Sequence, residues 1–158
     1  MSPDNPESDN PIPAVLRQRD LVRTMGSDIA GLLGEVDDHA VVECRLLAGY
    51  GQYTSRVVRI DGSSESVPTP ETVSDALREL REKIMYSPAG GTWMSARFVV
   101  HHGGGVDGDF NYDTEPDWSY ELDPQLYAQE LRAFPRDERS VPEWLRRKVD
   151  SISGGVES

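Results

Sequence analysis

In the run DGDFNYD, Asp107 to Asp113, an oxygen-bearing side chain recurs at every second position. A helix–loop–helix calcium loop spaces its first ligands in this way, but it also needs glycine at its sixth position and a bidentate glutamate at its twelfth. Tyr112 and Trp118 hold those two places. The alternation is equally what a strand gives when one face is wet, with Phe110 and Tyr112 on the other, and that reading is preferred. His101 and His102 offer two imidazoles just upstream. Neighbours on a strand point to opposite faces, so the pair does not readily share one metal. Solvated histidines at a strand end are expected instead. Paired carboxylates for glycoside chemistry are abundant, yet nothing singles out one acid and one base. Gly103 to Gly105 lacks the lysine and following helix of a phosphate loop. Cys44 falls in an apolar strand pattern with no histidine pattern to mark it as a nucleophile, so packing is its expected role. No residue set carries a specific catalytic signal. The expectation is a protein that is not an enzyme and holds no metal or cofactor.

The wider stretch DGDFNYDTEPDWSYELD, Asp107 to Asp123, holds seven acidic residues, no basic one, and the rings of Phe110, Tyr112, Trp118 and Tyr120. Two readings stand. In one, Phe110, Tyr112 and Trp118 are core residues and the acids solvate a hairpin end. In the other, Asp113, Glu115, Asp117, Trp118, Tyr120 and Glu121 form a partner-binding loop, since aromatic residues are enriched at binding hot spots and carboxylates steer basic partners.

Composition narrows the partners. The net charge of −12 argues against nucleic acid and anionic lipid as ligands and suits a basic protein. One cysteine forms no internal disulfide, which fits a reducing compartment. The N-terminus lacks a signal-peptide pattern, and no apolar run approaches membrane-spanning length. A cytoplasmic protein is expected. The 158 residues suit one domain. Residues 1–12 and 151–158 are polar and read as a disordered and a flexible tail flanking a domain at 13–150.

The elements that must position these residues follow from periodicity. A helical stripe runs through Leu21, Val22, Met25, Ile29, Leu32 and Leu33, with Gly26 a weak point and Gly34 a stop. Strands are expected near 40–48 and 53–60, the first placing Glu43 and Arg45 on one side and Val42, Cys44 and Leu46 on the other. The stretch DGSSESVP reads as a loop. Thr69 and Pro70 open a helix near 70–86 with Val73, Ala76, Leu77, Leu80 and Ile84 buried and a Glu79–Lys83 pair outside. Further strands are expected near 92–101 and 109–113. Asp123 and Pro124 open a helix near 124–134 with Tyr127, Leu131 and Phe134 on its apolar side. Ser140 and Glu143 have capping-box spacing before a last helix anchored by Trp144, Leu145 and Val149. The pattern predicts an α+β fold: one antiparallel sheet of about four strands in two hairpins, packed with helices, two short ones at the C-terminal end.

The combination GTWMSARFVV, GDFNYDTEPDW and YAQELRAFPRDERSVPEWL resembles the YezG-like antitoxin (immunity protein) family in its actinobacterial form. The likeness spans Thr92 to Leu145, and the preceding helix–hairpin–helix order is similar to the family's architecture. It implies a protein that binds and neutralises a cognate secreted polymorphic toxin in the same cell. A nuclease or another phosphate-binding enzyme would be inhibited by occlusion of its active site. The family fixes no contact residues, so none are transferred. An acidic adaptor or chaperone for a secreted protein is the alternative, and a small carboxylate-dependent hydrolase a more distant one. Two carboxylates converging in an open cleft would favour the hydrolase; a flat or convex acidic face with Trp118 exposed would favour binding.

Overall fold

The computed structural model describes residues 13–157, with side chains to 152. The tail expected at 1–12 lies outside the described residues. Helix α1 (Ala14–Ala30) leads into strands β1 (Asp37–Leu47), β2 (Tyr50–Arg59) and β3 (Ser64–Val67). Helix α2 (Glu71–Glu79) follows and continues as a wider turn, Leu80–Ile84. Strands β4 (Ser95–His101) and β5 (Val106–Asn111) come next, then helices α3 (Pro124–Ala133) and α4 (Glu143–Glu157). Helix α4 thus continues past residue 150, where the sequence suggests a tail.

The fold is α+β: one antiparallel sheet of five strands in the order β3-β2-β1-β4-β5. The fifth strand is β3, inside the stretch expected as a loop. Ser64, Glu65 and Ser66 carry no apolar alternation, so only the turn before them was legible. Asp61 and Gly62 form it: Asp61 Oδ1 accepts from Ser63 N–H at 2.9 Å, and Gly62 takes φ 90°. An Asp-Gly pair is a recognised hairpin signal.

Alternation along the strands divides the sheet into two faces. Ala40, Val42, Cys44 and Leu46 of β1, with Val57, Ala96, Phe98 and Val100, form the core beneath α1 and α2. Leu21, Met25 and Ile29 descend from α1; Val73, Ala76, Leu77 and Leu80 descend from α2. Leu32 does not join them and is 44% exposed, because α1 ends at Ala30. Gly26 marks a close approach rather than a weak point. A Cβ there would lie 2.4 Å from the carbonyl oxygen of Gly104, so only glycine lets α1 rest on the β4–β5 turn.

A second, smaller core closes one end of the sheet. Leu47, Met94, Leu122, Tyr127 and Leu145 are buried in it, with Tyr50, Trp118, Leu131, Trp144 and Val149 packed around them. Helix α3 therefore caps the sheet's end instead of sharing the layer that α2 covers. Trp93 and Met94 lie before β4 begins and serve different cores: Trp93 the first, Met94 the second. The regular alternation expected from residue 92 holds only from Ser95.

Three local expectations are corrected. Thr69 does not cap α2; its hydroxyl bonds Ser55 Oγ at 2.6 Å, and Pro70 precedes the first helical residue. Glu79 turns from Lys83 to Arg17 of α1, bridging the two helices with contacts of 2.8 and 3.0 Å. This side-chain bond holds the Glu79 carboxyl below its usual range. Ser140 sits in a short turn, Glu138–Ser140, ahead of α4, which begins at Glu143 too late for Ser140 to cap it. By contrast Asp123 does cap α3, accepting from Gln125 N–H at 2.9 Å with Pro124 in the first turn.

The two cores meet at a buried ion pair. Arg81 is 0% exposed and Glu130 2%. Arg81 Nε donates to Trp93 O at 2.7 Å, its Nη2 bonds Glu130, and the guanidinium lies 5.4 Å from the Phe134 ring centroid. The other oxygen of Glu130 accepts from Ala48 N–H at 2.7 Å, at the tip of the β1–β2 hairpin. That tip, Ala48-Gly49, has no residue at positive φ. Two-residue hairpin loops usually adopt positive φ to match the strands' twist. Here α3 holds the tip from outside. The winding of α2 widens where Arg81 sits: Met85 N–H reaches back five residues to Leu80 O, and Thr92 Oγ1 donates to Arg81 O at 2.7 Å.

Cys44 is fully buried, and burial pushes its thiol up to about 12. At pH 8 its thiolate fraction falls by roughly a thousandfold relative to a free thiol of pKa about 8.5. Labelling of the folded protein by a disulfide reagent is therefore expected to be slower than that of the denatured chain by at least that factor. Rapid labelling without denaturant would show that β1 opens locally.

Candidate functional site

The acidic–aromatic loop begins where β5 ends. Asn111 turns the chain: its Oδ1 accepts from Thr114 N–H at 3.0 Å, while its Nδ2 donates to Thr114 O at 2.7 Å and Ser95 Oγ at 2.9 Å. Asp113 then offers its carbonyl to Trp144 Nε1 at 2.7 Å. Glu115 accepts from the Tyr127 hydroxyl at 2.9 Å, and Pro116 and Leu122 are buried. Burial, then the bond to Glu115, raises the Tyr127 phenol well above its ordinary value. The loop is thus pinned to the second core at both ends and in its middle.

Trp118 and Tyr120 differ in their roles. Trp118 is half-buried, its ring centroid 5.7 Å from that of Tyr50. It belongs mainly to the second core. Tyr120 is 59% exposed, and its hydroxyl lies 2.5 Å from that of Tyr50. The bond shared with Tyr120, then the one Tyr50 accepts from Gln52, pull the Tyr50 phenol down, while Tyr120 moves up. Gln52 also receives Ser119, its Oε1 lying 3.3 Å from Ser119 Oγ.

The six residues singled out from sequence do not form one surface. Glu115 and Glu121 face α4, each 3.7 Å from Lys148 Nζ, and share a groove with Arg147. Their charge is partly answered within the chain. Asp117 turns the other way, to the sheet face opposite α1 and α2. Asp113 is exposed beside the junction. Glu115 and Trp118 are structural; Asp113, Asp117, Tyr120 and Glu121 are available.

That second sheet face is covered by the second core at its Leu47 end and is lined by polar side chains beyond it. Glu43 and Arg45 of β1, Ser95 and Arg97 of β4, and Asp109 and Asn111 of β5 line a shallow depression of about 300 Å³, with Asp117 at its rim. Glu43 and Arg97 approach to 3.7 Å. Asp107 and Asp109 extend the face to the sheet's outer strand, where Asp107 Oδ2 lies 3.1 Å from His101 Nε2. Asp107, Asp109 and Asn111 are therefore strand residues sharing one face, as the alternation suggests. His102 turns to Asp37 O at 2.7 Å. Among the described residues no group of three or more His, Cys, Asp or Glu side chains is placed to hold a metal ion. No described helix is long and apolar enough to cross a membrane.

Sequence reasoning placed Glu43 and Arg45 on one side of β1 but did not join them to Arg97 and Asp109 as a surface. The signal was present: polar residues alternate on β1, β2, β4 and β5 together, which is the mark of a sheet with one wet face. No protein-family model matches the chain, and no curated protein matches it significantly.

Proposed function

We propose that this protein is an immunity protein: it binds a cognate secreted toxin domain and blocks that domain's phosphate-handling active site. The observation that carries this reading is the set of exposed carboxylates on β5 and the following loop. Asp109, Asp113 and Asp117 are exposed and form no ion pair among the described residues. Exposed acids outside any ion pair, on a chain of net charge −12, attract a basic partner and raise its association rate. The same carboxylates would occupy the lysines and arginines with which a toxin grips phosphate. The likeness to YezG-like antitoxins supports the same reading.

The test is a binding titration against the toxin domain encoded beside this gene. Asp113→Lys with Asp117→Lys is expected to weaken binding about 10–100-fold, mostly through slower association, as two close charge pairs are reversed. Its melt should stay within about 0.5 kcal/mol of the parent, because both side chains are solvated. Glu115→Lys is the contrasting variant: it loses the Tyr127 bond and should melt earlier whatever it does to binding. Unchanged affinity in the folded Asp113→Lys, Asp117→Lys protein would refute the reading.

A further inference from the structure

The two outer strands of the sheet present unlike edges. Strand β3 has four residues, is followed by Pro68, and has Glu65 tied to Arg59 of its neighbour. Shortness, proline and charge are common means of preventing a sheet edge from pairing. Strand β5 has six residues and no proline. Two bonds fix the phase of its ladder: His101 N–H donates to Gly105 O at 2.9 Å, and Met94 N–H donates to Asn111 O at 2.8 Å. Odd-numbered residues thus turn their backbone groups towards β4, and alternation turns those of Val106, Gly108 and Phe110 outward. Among the described residues nothing hydrogen-bonds these outward groups.

The side chains along this edge select its occupant. Asp107 and Asp109 stand two apart on the open face, both exposed, with Gly108 between them. On the other face the buried Phe98 ring fills the place a side chain at 108 would take: a Cβ there would lie 2.8 Å from two of its carbons. A second copy of this chain is a poor occupant. Antiparallel self-pairing about Gly108 would set Asp107 of each copy against Asp109 of the other, and like charges directly opposite destabilise a sheet.

We propose that the β5 edge accepts an extended basic segment of a protein partner as an added strand. Lysine or arginine at alternate positions lies beside Asp107 and Asp109, and small apolar residues between them lie beside the half-buried Val106 and Phe110. The outward groups of Val106, Gly108 and Phe110 supply the ladder, as in other strand-addition modes of peptide recognition. The inference rests on the partner-binding reading only for the identity of that partner.

The experiment titrates the isotope-labelled full chain with a capped octapeptide of alternating Lys and Val, and with an alternating Glu and Val control. Two further Lys–Val peptides carry backbone N-methyl groups on alternate residues, one in each phase. Binding of the Lys–Val peptide is expected, with amide exchange at Val106, Gly108 and Phe110 slowed about tenfold or more. One N-methylated phase should lose binding and the other keep it, because only alternate residues face the ladder. Asp107→Lys with Asp109→Lys should abolish binding, and Asp107→Asn with Asp109→Asn should weaken it without altering the fold. Equal binding by both N-methylated peptides, protection confined to other strands, or no binding at millimolar peptide would each overturn the proposal. Wild-type toxin affinity in the Asp107→Lys, Asp109→Lys variant would remove the β5 edge from the toxin contact and leave the immunity reading standing. Peptide binding at β5 without any toxin binding would do the reverse.

Discussion

Glu130→Gln is expected to destabilise the protein by about 3–5 kcal/mol, because it removes the buried, nearer carboxylate from the fully buried Arg81 and leaves it Glu82 at 3.5 Å. Both carboxylate oxygens of Glu130 are in use, one by Arg81 and one by the backbone N–H of Ala48. An amide has one acceptor oxygen and one donor nitrogen, so glutamine must set a donor against one of these donors. The loss is felt in both cores and at the hairpin tip together. For a chain of this length each kcal/mol moves the melting temperature by roughly 2–4 °C, so a drop of roughly 6–20 °C is expected. Adding Arg81→Met should cost much less than a second independent loss, since the charge leaves with its partner. A Glu130→Gln melt within about 1 kcal/mol of the parent would show that the pair does not join the two cores.

Leu145→Ala is expected to have the second-largest effect, about 2–5 kcal/mol. Its side chain is 0% exposed in the second core and is the innermost contact of α4. Trp144, the larger ring, is only half-buried. It packs edge-on to Tyr127 at 5.6 Å and bonds Asp113 O through Nε1. Trp144→Phe should cost about 1 kcal/mol, the usual worth of one hydrogen bond, and should loosen the acidic loop at Asp113. Thermal melts paired with amide exchange at Asp113 and Thr114 check both. A larger loss from Trp144→Phe than from Leu145→Ala would place the anchor of α4 at the loop instead of in the core.

Much of this architecture was written in the spacing of apolar residues. Val73, Leu77 and Leu80 declare one face of α2, and the alternation from Ser95 to Val100 declares β4 and its wet side. The strand β3 was hidden because an edge strand with one partner needs no apolar alternation. The Arg81–Glu130 pair was hidden differently. Arg81 follows Leu77 by four residues and Glu130 follows Tyr127 by three, so both fall on buried stripes by helical period. Their residue types argued for the surface, since such charges are rarely buried unless paired. For the loop, the cap at Asp123 was legible because it acts over two residues. The division of its acids was not. It depends on Tyr50, Tyr127 and Lys148, which reach the loop from β2, α3 and α4.

Strand β1 lies at the middle of the sheet, between a neighbour that follows it at once and one that arrives much later. Its pairing with β2 closes across Ala48 and Gly49, whereas its pairing with β4 must close across β2, β3 and all of α2. Loop-closure entropy rises by about 0.6 kcal/mol for each doubling of the enclosed chain. The β1–β2–β3 meander is therefore the part that can assemble early, even while the chain is still being made. It waits with one side of β1 unsatisfied until β4 docks. Refolding is then limited by a single distant zipper, and the half-built sheet is the species that a crowded solution would find easiest to misjoin.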